Sequence, residues 1–333
     1  MSSNDRRPYV TQADIAREAG VSRPLVSLVL RNSPKVSQEK RERVLKAAAK
    51  LGYIGSGIAT SLAGNRSNLL VGYLAQNLRN ELFIEVYQGM RQRFEPLGHR
   101  ILIMEGSPNP EDEDRNLRDL ISFRPDAVVL GGYAGSTSAL KAASNTLPFV
   151  SVTRKISEQN VFSVLGDDYA GGMQATEHLL EQGHTAIAHI QLPSDIPYER
   201  RAQGYVDAMT DRGLTPRLAT GGVTTESGYQ AAKALLDSWR PTAIFCATDQ
   251  LALGALDALR ERGLRVPGDV ALVGYDNTDT IRRLDISSVD QEAVHQGEVA
   301  AMTIIAANEN EKAPPPVVTL TPRLMVRGSS TIT

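Results

Sequence analysis

Asn80, Phe83, Arg201, Thr248, Asp249 and Asp276 have the side chains best suited to hold a small molecule. Each stands shortly after an apolar run: Arg201 after Thr185–Ile190, Thr248 and Asp249 after Ala243–Cys246, and Asp276 directly after Val270–Tyr275. Carboxylates, an amide, a guanidinium and one ring converging at strand ends can recognise a hydroxylated ligand. Two plainer readings stand beside that one. Asp249 could merely cap the helix that follows it, and Asp276 and Arg201 could form an ion pair between lobes. Asp167, Asp249 and Asp276 could also supply the carboxylate pair of a sugar-cleaving enzyme, but binding alone explains them more simply. His99, His178, His184, His189 and His295 are scattered, and the chain has no HExxH, GxSxG, GxxxxGKS or GxGxxG. Cys246 is the lone cysteine, which excludes disulfides and a cysteine zinc site, and its apolar run predicts a buried thiol. No catalytic residue, metal or cofactor is expected, and the chain is not read as an enzyme.

A second group of side chains suits a polyanion. Thr11 caps a helix that carries Asp14 in its first turn, buries Ile15, Ala16 and Ala19, and stops at Gly20. After Val21, Ser22 caps a second helix with Pro24 in its first turn. Val26, Val29 and Leu30 then face inward, and a third helix from Ser37 to Gly52 buries Val44, Leu45, Ala48 and Leu51. Two helices joined by a tight turn read as a helix-turn-helix whose second helix enters the major groove. At 100° per residue Arg23, Pro24, Ser27, Leu28 and Arg31 point outward. Arg23 is the best base reader, since arginine pairs bidentately with guanine. Leu28 either meets a thymine methyl or packs on a neighbouring helix. Thr11, Ser22 and Leu25 complete the expected DNA-facing set. Residues 54–68 read as a linker with a short helix too weak to stand alone, in which Leu62 is either a minor-groove wedge or an ordinary buried side chain.

From Leu69 onward strands and helices alternate in two successive sets, the pattern of doubly wound parallel sheets. Expected strands are Leu69–Leu74, Arg100–Met104, Asp126–Leu130, Pro148–Val152 and Phe162–Leu165, then Thr185–Ile190, Arg217–Thr220, Ala243–Cys246, Val270–Tyr275 and Ile286–Asp290. A final helix, Ala293–Ala307, and the strands Val317–Leu320 and Arg323–Arg327 cross between lobes. Three crossings make a hinged clamp with a cleft. The expected division is 1–53, 54–68 and 69–333, with lobe 1 over about 69–162 and 291–321 and lobe 2 over about 163–290 and 322–333.

The charge follows that division. The 333 residues carry a net charge of −2, yet residues 1–68 hold twelve Lys/Arg against five Asp/Glu, leaving +7 there and −9 on the remainder. A basic head on an acidic body suits double-stranded DNA. No run of about 18 apolar residues occurs, so no membrane span is expected. Met1 to Val10 has no apolar leader core, so a cytoplasmic location is expected.

The run Thr11-Gln-Ala-Asp-Ile-Ala-Arg-Glu-Ala-Gly-Val-Ser22, with Val26-Ser-Leu-Val-Leu30 and Leu51-Gly-Tyr53, resembles the head of lactose-repressor (LacI/GalR) family transcription factors. Ala243-Ile-Phe-Cys-Ala-Thr-Asp249, Val266-Pro-Gly-Asp-Val270, Val273-Gly-Tyr-Asp276 and Val326-Arg-Gly-Ser329 resemble the same family. The resemblance spans essentially the whole chain. It implies a homodimer or tetramer that binds a pseudopalindromic operator as a repressor, with a periplasmic-binding-protein-like core whose effector tunes DNA affinity. By motif it carries the effector role to Asn80, Phe83, Asp167, Arg201, Thr248, Asp249 and Asp276, the base-reading role to Arg23, Pro24 and Leu28, and the wedge role to Leu62. Departures are Gly55-Ser56 for the usual Pro-Asn, Leu28 for an arginine, Val223 for a stacking aromatic and Thr248 for Asn. The effector expected is a sugar, polyol or cyclitol. A nucleoside, nucleobase or protein co-effector, or a solute-binding protein with no DNA role, are the alternatives.

Overall fold

The computed structural model describes residues 10–30, 33–53, 68–193, 199–309 and 316–331. The chain divides into two compact units, Met1–Leu70 and Val71–Thr333.

Among the described residues the first unit holds three helices, α1 (Gln12–Ala19), α2 (Arg23–Leu30) and α3 (Gln38–Leu51). Thr11 and Asp14 cap α1 reciprocally: Asp14 N donates to Thr11 Oγ1 (3.3 Å) and Thr11 N to Asp14 Oδ2 (2.9 Å). This bonding lowers the Asp14 pKa, the side-chain bond to Thr11 first. Gly20 and Gly52 end α1 and α3 at φ 62° and 66°, where a Cβ would strain the backbone. Ile15, Ala16, Ala19, Val26, Val29, Val36, Val44, Ala47 and Ala48 form the core. Arg43 of α3 donates to the Ala19 carbonyl at 2.7 Å and locks α3 against the end of α1. Leu45, expected inside, is 49% exposed, because the buried stripe of α3 is Val44, Ala47 and Ala48 and Leu45 lies one residue off it.

The second unit contains two sheets. The first has the order β11-β5-β4-β3-β1-β2, built from β1 (Leu70–Ala75), β2 (Arg100–Glu105), β3 (Ala127–Gly131), β4 (Phe149–Val152), β5 (Val161–Gly166) and β11 (Val317–Leu320). Its helices are α4 (Glu81–Phe94), α5 (Pro110–Ser122), α6 (Thr137–Ser144) and α12 (Ala293–Asn308). The second sheet has the order β12-β10-β9-β8-β6-β7, from β6 (Ile187–Gln191), β7 (Arg217–Thr220), β8 (Ala243–Cys246), β9 (Ala271–Tyr275), β10 (Ser287–Asp290) and β12 (Arg323–Met325). With it go α7 (Asp168–Glu181), α8 (Glu199–Asp211), α9 (Thr225–Ser238), α10 (Asp249–Glu261) and α11 (Asp279–Arg283). β1, β3, β4, β5 and β11 run parallel, as do β6 to β10, and β12 is antiparallel to β10. Sheets covered on both faces need strands apolar on both faces, and β3, β4, β8 and β9 are buried throughout.

The expected strands appear with bounds shifted by two residues at most. The lobe boundary moves. β5 lies entirely in the first sheet, paired with β4 and β11, so the first crossing falls at Gly166–Asp168 and not at residue 162. The other crossings run from Asp290 to Ala293 and from Leu320 to Arg323. An ion pair between Arg323 and Glu292 ties these two together. Among the described residues no helix is long and apolar enough to cross a membrane.

Candidate functional site

A cavity of about 290 Å³ lies between the lobes at the carboxyl ends of both sheets. Lobe 1 supplies Gln76, Asn77 and Asn80 from the β1–α4 turn, Phe83 from the first turn of α4, Glu105 at the end of β2 and Thr153 after β4; Gln291 comes from the second crossing. Lobe 2 supplies Leu192, Arg201, Val223, Thr224, Thr248 and Asp276. Five of the seven expected effector residues therefore meet: Asn80, Phe83, Arg201, Thr248 and Asp276.

Asp276 forms the floor of this cavity. It is 2% exposed and sits at φ 117°, a conformation that side chains rarely adopt. Its amide donates to the Val289 carbonyl (2.8 Å) and its Oδ1 accepts from Gln291 Nε2 (2.6 Å). Oδ2 is buried and has no hydrogen-bond partner among the described residues. Burial first, then the charge of Asp249, raises its pKa well above the usual carboxylate range. A donor reaching Oδ2 from the cavity would satisfy a group that is otherwise costly to bury.

Arg201 is 2% exposed and held on three sides. Its Nη2 and Nε reach Asp168 Oδ1 at 2.6 and 3.2 Å, its Nη1 donates to the Ala247 carbonyl, and its guanidinium lies 3.4 Å from the Tyr275 ring centroid. Tyr275 donates to the same Asp168 oxygen at 3.1 Å. Burial opposes its charge, but Asp168, Tyr275 and Asp276 together outweigh that and raise its pKa. Its helix must come close for this. A Cβ on Gly172 of α7 would lie 2.1 Å from the Arg201 carbonyl oxygen, and one on Gly204 of α8 would lie 2.3 Å from that of Tyr169. Only glycine permits this approach. Arg201 and Asp276 both belong to lobe 2, and the arginine's ion pair is with Asp168, so the interlobe Asp276–Arg201 pair is not formed.

The remaining expected residues have local duties. Asn80 Oδ1 accepts from Leu82 N (3.1 Å) and Thr248 Oγ1 from Leu251 N (3.2 Å), so both cap helices while lining the cavity. Asp167 caps α7 through Ala170 N (3.1 Å) and does not line the cavity. Asp249 does not line it either. It is buried beneath the Asp276 turn, where its carboxylate accepts from Thr278 N (2.7 Å), Thr278 Oγ1 (2.9 Å) and Ser288 Oγ (2.7 Å). Thr248, and not Asp249, caps α10. Asp168 and Gln291 escaped the sequence reading. Asp168 adjoins the motif aspartate, and Gln291 sits on a crossing that sequence periodicity does not mark.

Among the described residues no group of three His, Cys, Asp or Glu could hold a metal ion. His189 is buried, stacks on Phe245 (ring centroids 4.5 Å apart) and is held neutral by burial, with its pKa lowered to about 3. Cys246 is a buried thiol whose pKa burial pushes up.

In the first unit, Thr11, Ser22, Arg23, Pro24 and Leu28 are exposed, and Leu25 and Ser27 are half-buried. Leu28 is 37% exposed and stands outside the buried core of this unit. Arg31 and Leu62 lie outside the described residues, as does nearly all of segment 54–68.

Residues 11–56 match the bacterial regulatory proteins of the lacI family, and residues 176–330 match a periplasmic binding protein-like domain. The ribose operon repressor of Haemophilus influenzae is 31% identical over 96% of this chain and 98% of its own. The HTH-type transcriptional repressor CytR of Escherichia coli is 29% identical over 99% of both chains. The lac repressor dimer bound to operator and an anti-inducer superposes with a TM-score of 0.79 at 26% identity, over 98% of this chain and 100% of that one. With its helix-turn-helix head and two-lobed core, the chain belongs to the lacI family of bacterial regulatory proteins, DNA-binding regulators of transcription.

Proposed function

We propose that the chain is a cytoplasmic repressor that binds a pseudopalindromic operator as a homodimer and changes its DNA affinity when a small polyhydroxylated molecule fills the cavity between the lobes. The observation that carries the effector half is Asp276, a buried carboxylate with one oxygen unsatisfied on the cavity floor. Hydroxyl donors match that oxygen, and Asn80, Gln291 and Thr248 line the same space. Among the described lining residues Phe83 is the one aromatic, and Val223 and Leu192 add aliphatic surface, which favours a saturated ring over a flat base. At about 290 Å³ the cavity lies at the small end of ligand sites, so a single ring is expected. The relative named for a ribose operon agrees with this size. The DNA half rests on the exposed α2 face bearing Arg23, Pro24 and Leu28. Effector turnover is not expected.

Thermal-shift screening of pentoses, hexoses, cyclitols and nucleosides tests the ligand class, since binding to the folded state raises the melting temperature. The hits are then titrated against operator fragments selected from random DNA. A nucleoside as the sole hit overturns the polyol reading. A selection that enriches no sequence overturns the DNA reading.

A further inference from the structure

At one rim of the cavity α4 of lobe 1 and α11 of lobe 2 are joined by hydrogen bonds. Thr280 of α11 donates from its amide to Glu81 Oε2 (3.1 Å) and from its hydroxyl to Glu81 Oε1. Further along the same two helices, Arg282 Nη2 donates to Glu85 Oε1 at 2.9 Å. Glu81 and Glu85 stand one turn apart on α4 of lobe 1, and Thr280 and Arg282 stand two residues apart on α11 of lobe 2. The first of these bonds does a job normally done within a lobe. Thr278, the N-cap residue of α11, makes no side-chain cap, because its hydroxyl is spent on Asp249. The amide of Thr280 is satisfied instead by a carboxylate from the opposite lobe.

The same short helix is anchored to the cavity floor. Asp276 and Asn277 precede it at φ 117° and 55°. Asn277 donates its amide to Ser288 Oγ (3.0 Å) and its Nδ2 to Asp290 Oδ2 (3.0 Å), and its carbonyl accepts from Arg282 Nη1 (2.6 Å). Arg282 thus grips the turn that carries Asp276 with one nitrogen and lobe 1 with the other. Asp290, the partner of Asn277, opens the crossing to α12.

We propose that Glu81 and Glu85 with Thr280 and Arg282 form an interlobe latch that sets the balance between open and closed lobes and is mounted on the same turn as Asp276. A ligand that engages Asp276 then acts on a turn whose rigid extension, α11, holds lobe 1. The consequence for regulation rests on the cavity being the effector site; the latch itself does not.

The test measures the distance between spin labels at the exposed Arg118→Cys of lobe 1 and Asp257→Cys of lobe 2. It uses the full chain, mixed with excess unlabelled chain, without DNA or small molecule. Cys246 is buried away from the label. Arg282→Glu and Glu85→Arg should each move the distribution to longer, broader distances, and the pair together should restore it. Four superimposable distributions, or a double variant no closer to the parent than the single ones, overturn the latch. Should a single variant lose cooperative melting, Glu81→Gln serves in its place. Hydrogen exchange at Thr280 should then rise at least tenfold while β8 and β9 stay protected, and unchanged exchange overturns the proposal. Failure here leaves the effector reading standing, and a ligand panel without hits leaves the latch standing.

Discussion

Asp276 shows how much one side chain can be asked to do. Its burial and the nearby Asp249 raise its pKa, so the folded chain holds that proton more tightly than the unfolded chain does. Such a carboxyl supports stability fully below its unfolded pKa near 3.8, and that support drains away as pH rises toward the folded value. Asp276→Asn should therefore melt above the parent at pH 7, with the gap closing toward pH 4, as read by scanning calorimetry across that range. The same variant should bind the effector on the order of 10- to 100-fold more weakly, the worth of a charged hydrogen bond at about 1.5–3 kcal/mol, as read by titration calorimetry. Leu28 and Val29 form a second contrast. Leu28→Ala should leave the melting temperature of the head nearly unchanged and, on the proposed base-reading role, weaken operator binding, because the side chain is exposed. Val29→Ala, 3% exposed, should cost about 2 kcal/mol of stability from the lost methyl groups and the cavity they leave. A Leu28→Ala head that unfolds early would make that leucine core.

At the scale of elements, the position of Arg201 depends on two glycines in neighbouring helices. Gly204→Ala places a methyl 2.3 Å from a backbone oxygen of α7, and backbone cannot turn aside as a side chain can. The α7–α8 pair must separate, and Arg201 leaves Asp168 and Tyr275. The expected outcome is a destabilisation of about 1–3 kcal/mol by overpacking, together with effector binding weakened at least tenfold. Denaturant melts and the same calorimetric titration check the two effects separately. A variant that is less stable but binds normally would show that Arg201 only braces the lobe. The β-strands were readable because parallel strands covered on both faces must be apolar throughout. α8 was not named by the sequence reading, since its buried face includes Arg201 and Gly204 and breaks the apolar stripe. α11 was missed because five residues carry too little periodicity to register.

For the whole molecule, the sign of the charge on each segment leads to an experiment on linkage. If the +7 head meets DNA phosphates, operator affinity should fall steeply with salt, by about 10³-fold or more between 50 and 200 mM for six or more phosphate contacts. Fluorescence anisotropy across that range measures it, and a flat response would detach the basic segment from DNA. Coupling between cavity and operator should amount to about 1–3 kcal/mol and be equal in both directions. Effector affinity measured with and without operator must therefore change by the same factor as operator affinity measured with and without effector.

Local chemistry alone settled the helical head, its capping by Thr11, its glycine stops, the alternating body and the places of its strands along the chain, because capping and apolar periodicity are properties of neighbours in sequence. It also placed Asn80, Arg201, Thr248 and Asp276 at strand ends, where parallel sheets keep their ligands. Which aspartate faces the cavity was a tertiary matter. Asp167 and Asp168 are adjacent in sequence, yet one caps a helix and the other grips Arg201. Asp249 and Asp276 look alike in sequence, yet Thr278 and Ser288 enclose the first while the second lines the cleft and keeps one oxygen without a hydrogen bond among the described residues. Burial and hydrogen-bond supply decide between such pairs, and both depend on residues brought near only when the sheets close against each other.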